Sequence, residues 1–367
     1  MSLSIGIVGL PNVGKSTLFN ALTKKSVPAE NYPFCTIDPS VGIVPVPDPR
    51  LQALSAMSNT QKIVPAVVEF VDIAGLVKGA SEGEGLGNQF LSNIREVDAI
   101  AEVVRMFDDE DITHVHGDVD PLHDIEVINL ELILADFQVV SKRLDRVTRE
   151  ARSGDKQAIA EEEVLKLLNE ALEHGRLAST VKFDPRHEPI VKALQLLTTK
   201  PFLYVLNRKS GVVNVDAENG ERWRVLQQFF KDTGAHYVFV DAATERELND
   251  VHDDERDQFR REMGIAESGI DALIRAGYET LDLISYFTTG EKETRAWTVK
   301  RGSTAPQAAG AIHTDFEEKF IRAEVIQWSD LVQAGSFAAA REKGLVRTEG
   351  KEYIFQDGDV TEFRHGA

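Results

Sequence analysis

The sequence is poor in cysteine, has no long apolar run and carries no excess of positive charge. Its single cysteine, Cys35, among 367 residues excludes an internal disulfide and a cysteine-based metal cluster, and it fits a reducing compartment. No uninterrupted run of about 18 apolar residues suggests a membrane span. The N-terminus also lacks the basic region and apolar core of a signal peptide. We therefore expect a cytoplasmic protein with no membrane partner.

The charge balance is acidic, with 41 lysines and arginines against 60 acidic residues and a net charge of -19. Phosphate would repel such a surface at long range, so any contact with nucleic acid must be local. The composition, 42% hydrophobic and 28% charged, is that of a globular protein. A chain of this length exceeds the size of one typical core, so two or three structural units are expected.

Residues 9–17 form a phosphate-binding loop motif, Gly-Leu-Pro-Asn-Val-Gly-Lys-Ser-Thr. The motif follows a short β-rich apolar run and leads into a helical pattern. Its glycines allow the backbone amides to turn toward phosphate oxygens at a helix N-terminus. Lys15 supplies positive charge to the β- and γ-phosphates, and Ser16 is placed to bind Mg²⁺. The predicted nucleotide-binding residues in this loop are Asn12, Val13, Gly14, Lys15, Ser16 and Thr17.

A carboxylate and two further groups downstream complete a hydrolase pattern. Asp72 ends an alternating strand and can reach the Mg²⁺ shell, while the amide of Gly75 can meet the γ-phosphate. Thr36, in an irregular segment, offers a third metal ligand, although it could also be an ordinary loop threonine. The predicted metal ligands are Ser16, Thr36 and Asp72, and Lys15 and Gly75 are predicted to be catalytic. Many GTPases place glutamine directly after this turn to orient water, but Leu76 stands here, which predicts slow unaided hydrolysis.

The base-reading segment lacks the acid that guanine recognition requires. Ordinary GTPases end the corresponding strand with Asn-Lys-x-Asp, whose aspartate accepts hydrogen bonds from guanine N1–H and the N2 amino group. Here residues 207–210 read Asn-Arg-Lys-Ser, and Asn207, Arg208 and Ala242 are the candidate base-side residues. Asp241 stands where a Ser-Ala loop normally backs the base. It could accept from an adenine amino group or cap a helix beginning near Thr244, and capping is favoured.

Glu102 is a further anomaly, because it lies in an apolar run over residues 99–107. An unpaired carboxylate buried there would be costly.

A heptad spacing of apolar residues predicts an inserted helical hairpin over residues 129–195. The predicted seam residues of its two helices are Ile133, Phe137, Val140, Leu144, Val147 and Ala151, then Ala160, Val164, Leu167 and Ala171. A basic strip lies along the first helix and includes Lys142, Arg143, Arg146 and Arg149. The strip could be a solvated face paired with the glutamates at 161–163, or it could bind RNA phosphates in a salt-dependent manner.

Beyond Gly277 the pattern changes to short strands at residues 294–299, 320–326 and 352–356, with a helix over residues 304–316. This order predicts a small β-grasp module. The predicted fold is α/β: a GTPase-like P-loop domain (1–128 and 196–277), an antiparallel coiled-coil arm (129–195) and a C-terminal β-grasp domain (278–365).

The chain resembles the YchF, or Obg-like ATPase, family over essentially its whole length. The resemblance rests on residues 9–17, 31–36 and 72–80 and on the C-terminal segments 295–298 and 304–324. It implies an ATPase that associates with the ribosome, with the large subunit as the expected site, and whose C-terminal module is a TGS domain. The family usually has Asn-x-x-Glu at the base-reading segment, so Ser210 departs from that pattern too.

The resemblance also implies roles for two residues. Asn12 becomes a candidate for helping to bind K⁺ beside the Mg²⁺-bound phosphates. His114 matches a histidine that is proposed to be catalytic in the family, although a surface-loop histidine is the alternative. Three functions are compatible with these features: an ATPase switch that contacts ribosome or RNA through the arm and TGS domain, an Obg-type GTPase in ribosome assembly, and a nucleotide sensor without hydrolysis. The absent acid favours the first over the second, and Lys15, Thr36 and Asp72 favour hydrolysis over the third.

Overall fold

A computed structural model of the chain describes residues 3–27, 40–73, 86–109, 119–217, 220–262 and 267–366. The central sheet has six strands in the order β2-β4-β1-β5-β6-β7. Strand β2 is antiparallel to β4, and the other pairs are parallel. The strands are β1 (Ser4–Val8), β2 (Val41–Pro45), β4 (Val67–Asp72), β5 (Ala99–Arg105), β6 (Phe202–Asn207) and β7 (His236–Val240).

Helices cover both faces of this sheet, and its central strands β1, β5 and β6 are almost entirely buried. All seven residues of β5 are buried. A side-chain carbon at Gly277 would lie 2.6 Å from Ile5 Cδ1, so the absence of a side chain lets its helix lie close to β1. The helices of this unit are α1 (Lys15–Thr23), α2 (Pro49–Ser58), α3 (Leu86–Glu96), α7 (Glu221–Thr233), α8 (Ala242–Leu248), α9 (Asp253–Glu262) and α10 (Gly269–Thr280).

The inserted arm is built on α4 (Pro121–Ala151) and α5 (Lys156–Glu173), followed by α6 (Glu188–Leu194). Helix α4 begins eight residues before the position expected from the heptad pattern, with Asp120 as its N-cap and proline in its first turn. Its early residues Ile128 and Leu132 belong to the core of the P-loop unit, and Val140 and Val147 belong to the core of the arm. One continuous helix therefore links the nucleotide-binding unit to the arm.

The predicted seam of the second arm helix was partly right: Val164 and Ala171 are fully buried, as expected, but Leu167 is not. Leu167 is 42% exposed, whereas Leu168 is fully buried in the arm core. The observed heptad of buried residues runs through Ala158, Leu165, Leu168 and Leu172. Its remaining position is Glu161, which forms an ion pair across the hairpin. That polar residue interrupts the apolar pattern, so the sequence did not reveal that Leu168 rather than Leu167 is buried.

The C-terminal unit contains a mixed sheet with the strand order β11-β10-β12-β8-β9-β3. Its central strands β8 and β12 run parallel and are flanked by the antiparallel strands β9 and β10, which is a β-grasp arrangement. The elements are β8 (Leu283–Thr288), β9 (Thr294–Lys300), α11 (Ala305–Gly310), α12 (Thr314–Glu318), β10 (Phe320–Gln327), α13 (Trp328–Ala334), α14 (Phe337–Glu342), β11 (Arg347–Glu349) and β12 (Asp359–His365).

Several predicted elements of this unit were wrong. Strands β8, β11 and β12 were missed, the expected single helix is divided into α11 and α12, and residues 352–356 are not a strand. In that segment the oxygen of Tyr353 accepts from the amide of Ala305, and the amide of Phe355 donates to Ser303. The segment is therefore tied to the start of α11 instead of a neighbouring strand, and Phe355 fills the core.

The C-terminal unit is fastened to the P-loop unit. Strand β3 (Ile63–Val64), which precedes β4 in the chain, pairs in parallel with β9. Arg50 on α2 lies between Asp48 and Asp357, and its guanidinium stacks 5.0 Å from the Phe287 ring centre. Among the helices that the structure describes, none is both long and apolar enough to cross a membrane.

Candidate nucleotide-binding site

The loop between β1 and α1 has the backbone conformation that its sequence pattern predicts. Gly9 and Gly14 adopt φ of 152° and 99°, which favour glycine. At Gly9 a side-chain carbon would lie 2.6 Å from the Val103 oxygen. Asn12 also adopts a positive φ of 64°, a conformation that asparagine tolerates better than most residues. The buried Val13 then anchors the loop to the core.

The N-terminus of α1 opens toward this loop without a side-chain cap. Gly14 occupies the N-cap position, and no acidic residue stands in the first turn. The first amides of a helix have no partner within the helix, and the helix dipole adds partial positive charge there. Lys15, Ser16 and Thr17 occupy this first turn. The arrangement suits a phosphate group.

Lys15 and Asp72 lie near enough to each other, at the carboxyl edge of the central sheet, for each charge to affect the pKa of the other. Lys15 is 9% exposed, and its Nζ donates a 2.7 Å hydrogen bond to the Leu10 oxygen. Burial lowers the pKa of Lys15 to about 8, although the charge of Asp72 opposes this. Burial likewise raises the pKa of Asp72, and Lys15 opposes that change. Each charge is incompletely compensated, so an incoming phosphate and cation would both be stabilised.

The donors available for a divalent metal are the Ser16 hydroxyl and the Asp72 carboxylate. Ser16 is exposed at the open end of α1, and Asp72 ends β4. Within the described ranges no group of three or more His, Cys, Asp or Glu residues could hold a metal. This donor set fits Mg²⁺, which usually binds through one or two protein oxygens together with phosphate oxygens and water. Thr36, the third predicted ligand, lies outside the described residues.

Asn207, at the end of β6, is hydrogen-bonded to the phosphate loop. Its Nδ2 donates to the Val13 oxygen at 2.8 Å, and its Oδ1 accepts from the Ala242 amide at 3.1 Å. The side chain is buried at 5% exposure. A side-chain carbon at Gly14 would lie 2.3 Å from Nδ2, so glycine is needed for this approach. The phosphate loop, the end of β6 and the start of α8 therefore meet at the Asn207 side chain.

Arg208 is directed elsewhere. Its guanidinium lies 3.5 Å from the centre of the Phe239 ring and forms an ion pair with Asp216. Its backbone amide donates to the Val240 oxygen. Arg208 also lines an open cavity beside Ser210 and Asp241, and its nucleotide contact stays a prediction.

Asp241 caps α8, as the sequence predicted, although the helix begins at Ala242 rather than near Thr244. Its Oδ1 accepts from the Thr244 amide at 2.9 Å. Its Oδ2 accepts from both the amide and the hydroxyl of Ser210, at 2.7 and 2.6 Å. The two positions at which the sequence departs from the GTPase pattern are thus joined to each other. Sequence reasoning noted both and missed their contact.

Glu102 is completely buried on β5, and neither of its carboxylate oxygens has a hydrogen-bond partner. Burial, with a smaller contribution from Asp124, raises its pKa well above the usual value. Its strand neighbour is Tyr204 on β6. Burial therefore favours the neutral form of this carboxyl group over the charged form.

Two predicted catalytic groups, Gly75 and His114, lie outside the described residues, as do Leu76 and Cys35.

The basic strip on the arm contains one residue that is paired across the hairpin and three that are exposed. Arg143 makes two hydrogen bonds to Glu161, at 2.6 and 3.0 Å, which is the pairing that the solvated-face alternative expects. Arg146 lies 3.5 Å from Glu150 and is 59% exposed. Lys142 and Arg149 are exposed on the same helix. The exposed members, rather than Arg143, are the ones available to a partner.

Two family models match separate parts of the chain. The model described as "50S ribosome-binding GTPase" matches residues 4–136. The YchF-GTPase_C model, described as "Protein of unknown function", matches residues 283–366.

Full-length relatives and a solved structure are similar to the whole chain. Proteins named "Ribosome-binding ATPase YchF" are 54% identical in Bacillus subtilis (strain 168) and 49% identical in Escherichia coli O157:H7, with 99% of both chains covered in each comparison. The solved structure described as that of the Schizosaccharomyces pombe YchF GTPase is 38% identical. It aligns with a TM-score of 0.87 over 99% of this chain and 98% of its own.

Proposed function

Because the chain belongs to the YchF family, we propose that it binds ATP at the P-loop, hydrolyses it to ADP and phosphate, and associates with the ribosome. The observation that carries this proposal is the joined phosphate site. The charges of Lys15 and Asp72 affect each other at the sheet edge. The side-chain amide of Asn207 donates a hydrogen bond to the Val13 oxygen in the phosphate loop. The relatives' names support both ATP as substrate and the ribosome as partner.

The residues of the chain divide the work of binding as follows. The amides at the start of α1 and the Lys15 ammonium hold the β- and γ-phosphates. Ser16 and Asp72 hold Mg²⁺, with Thr36 as the third proposed ligand, and the cation supplies charge neutralisation for phosphoryl transfer. Asn12, at the mouth of the loop, is the proposed contact for K⁺. Gly75 and His114 are the proposed catalytic groups near the γ-phosphate.

Hydrolysis without a partner is expected to be slow. Leu76 cannot orient the attacking water by hydrogen bonds, so that task falls to another group or to a partner. The ribosome is the proposed partner, reached through the arm residues Lys142, Arg146 and Arg149 and through the C-terminal β-grasp unit. Residues 129–195 are the proposed arm domain, inserted between two segments of the P-loop domain. A ribosome-associated role places the protein in the cytoplasm.

The deciding experiment titrates the purified chain with ATP and with GTP, and then follows phosphate release with and without K⁺ and ribosomes. We expect ATP to bind more tightly and ribosomes to accelerate release. A Lys15→Ala variant should lose nucleotide binding, because it removes the ammonium group that we propose to bind the β- and γ-phosphates. Lys24→Ala is the matched control, since Lys24 lies beyond the end of α1 and pairs with Asp250.

Each contrary outcome has a definite meaning. GTP binding at least tenfold tighter than ATP binding would favour the GTPase function. No phosphate release under any condition would favour a sensor that acts by binding alone. Retained ATP affinity in Lys15→Ala would overturn the assignment of the site.

A further inference from the structure

One continuous segment, residues 40–72, carries both a proposed metal ligand and contacts that fasten the C-terminal unit. We call it the docking segment. It contains β2, α2, β3 and β4 and ends at Asp72, a proposed ligand of Mg²⁺. Thr36, another proposed ligand, precedes it by four residues. The Asp72 amide donates a 2.8 Å hydrogen bond to the Ser40 oxygen, so the two ends of the segment meet.

The middle of the docking segment is bonded to the C-terminal unit through its backbone. The Gln61 amide donates to the Glu291 oxygen, and the Thr294 amide donates to the Lys62 oxygen, both at 2.9 Å. Strand β3 continues this pairing in parallel with β9. The docking segment therefore belongs to both sheets, with β2 and β4 in one and β3 in the other.

Hydroxyl groups reinforce this contact. The Thr60 hydroxyl donates to the Gly290 oxygen at 2.6 Å and lies 2.7 Å from the Thr294 hydroxyl. Thr294 is fully buried, and its hydroxyl lies 2.7 Å from that of Thr289. Thr289 in turn lies 2.8 Å from the Ser58 hydroxyl on α2. These bonds form only while the two units are in contact, so the cluster specifies one docked arrangement.

Arg50 supplies the charged part of the same contact. Its guanidinium donates to Asp48, the N-cap of α2, at 2.7 Å and to Asp357 of the C-terminal unit at 2.6 Å. Leu54 on α2 and Leu331 on α13 belong to one hydrophobic core. Charged, polar and apolar contacts of the C-terminal unit thus all fall on the docking segment.

The backbone joins this contact to Asp72 by a short path. Only Pro65 and Ala66 separate β3 from β4, and the Val46 amide donates to the Ala66 oxygen at 2.8 Å. An extended strand cannot lengthen further, because each residue already spans about 3.3 Å. Movement of β3 with the C-terminal unit therefore acts on β4 and on Asp72 at its end.

We propose that the docked C-terminal unit positions Asp72 for Mg²⁺, so that docking and Mg²⁺-dependent nucleotide binding stabilise each other. Arg50 and Thr60 are the positioning residues. The coupling is reciprocal, because a ligand that binds the docked arrangement more tightly also favours that arrangement. A partner that binds the C-terminal unit would thereby change the affinity for nucleotide. This inference rests on the proposed nucleotide-binding function.

A double variant that carries Asp357→Asn and Thr60→Val loosens the docking at residues that the nucleotide site does not use. Calorimetry measures the affinity for a non-hydrolysable ATP analogue in Mg²⁺ and in EDTA. We expect the affinity in Mg²⁺ to fall about fivefold, and the affinity in EDTA to change less than about twofold. A purely structural role of these residues would not depend on the metal.

Glu293→Gln is the matched control for the charge change. Glu293 lies on the same unit, and its carboxylate is 3.9 Å from the exposed Lys62 ammonium, a surface pair that contributes little. This variant should bind the analogue as the wild-type protein does in both conditions. Circular dichroism and melting temperature establish that each variant is folded.

Hydrogen exchange in the wild-type protein tests the reverse direction. The Gln61 and Thr294 amides bridge the two units, and their exchange reports local opening of the contact. We expect the analogue with Mg²⁺ to slow their exchange about fivefold relative to the analogue in EDTA, because the coupling is the same in both directions.

The outcomes distinguish this inference from the function on which it rests. If Lys15→Ala abolishes binding but the double variant keeps the wild-type response to Mg²⁺, the contact is only structural and the inference is wrong. If Lys15→Ala still binds the analogue, the nucleotide site itself is wrongly assigned. If the double variant does not fold, the exchange of Gln61 and Thr294 in the wild-type protein decides, and equal exchange in Mg²⁺ and EDTA would overturn the coupling.

Discussion

Asn207 donates a 2.8 Å hydrogen bond from its side-chain amide to the backbone oxygen of Val13. These residues are far apart in the chain, and the bond connects the end of β6 to the phosphate loop. The other end of the same amide accepts from Ala242. One buried side chain thus fixes the relative position of the phosphate and base sides of the site.

Replacing Asn207 with alanine should therefore impair binding as well as folding. It would leave the Val13 oxygen and the Ala242 amide without this partner, at a cost of about 1–3 kcal/mol. We expect a lower melting temperature and an ATP dissociation constant raised about tenfold, measured by thermal denaturation and calorimetry. Asn249→Ala is the control, because Asn249 makes a comparable bond to the Ala21 oxygen. Equal ATP affinity in the two variants would show that the hydrogen bonds of Asn207 do not position the phosphate loop for ATP.

The affinity for ATP should fall at alkaline pH because of Lys15. Its pKa is lowered to about 8, so the free protein loses this charge above that pH. Phosphate binds the protonated form, and binding above pH 8 must therefore take up a proton. We expect affinity to be flat below the pKa and to fall by up to about tenfold per pH unit above it.

Calorimetry from about pH 7.5 to 9.5, in buffers of different ionisation enthalpy, measures both the affinity and the proton uptake. A Lys15→Arg variant that still binds ATP is the control, because arginine does not titrate in this range. Constant affinity and no proton uptake in the wild-type protein would show that Lys15 stays charged throughout.

Glu102→Gln should stabilise the protein at neutral pH. The pKa of Glu102 is raised in the folded state, so the folded state binds a proton more tightly than the unfolded state does. The free energy of unfolding should then fall as the pH rises from the unfolded pKa, about 4.5, toward the folded one. A neutral amide does not lose this stability, so we expect the free energy of unfolding of Glu102→Gln to exceed that of the wild-type protein by an amount that grows with pH over this range.

Urea denaturation between about pH 5 and 8 measures the effect of Glu102→Gln. Glu126→Gln, an exposed position on α4, is the matched control and should change little. If the free energy of unfolding of Glu102→Gln depends on pH as strongly as that of the wild-type protein, a group other than Glu102 causes this dependence.

Charge reversal on the arm should weaken ribosome association. Arg146 and Arg149 are exposed, whereas Arg143 is paired with Glu161 across the hairpin. We expect the variant with Arg146→Glu and Arg149→Glu to bind ribosomes at least about tenfold more weakly in sedimentation assays, with a reduced dependence on salt. The control carries Arg224→Glu and Lys231→Glu on α7, which change the net charge equally. Unchanged binding in the arm variant would restore the solvated-face interpretation.

Local motifs of the site were predictable because their information is contiguous. A strand, a glycine loop and a helix start lie within the first 23 residues, and the backbone conformations of Gly9 and Gly14 follow from them. The cap at Asp241 was predicted for the same reason, since capping requires only the next three residues. The resemblance to known proteins extended this local evidence to the whole chain.

Elements that depend on distant partners were predicted less well. The segment around Phe355 alternates like a strand but bonds to the start of α11. Leu167 and Leu168 are adjacent apolar residues, and only the second is buried in the arm core. Neither choice is visible in local periodicity.

The sequence by itself determined the phosphate-binding chemistry, the missing acid at position 210 and the existence of two appended units. These properties depend on residue type and short spacing. Only the tertiary structure decided that Asn207 closes the phosphate loop, that Ser210 and Asp241 are joined, and that β3 completes the C-terminal sheet. Such contacts depend on packing between segments separated by tens to hundreds of residues, and no local pattern records which groups will meet.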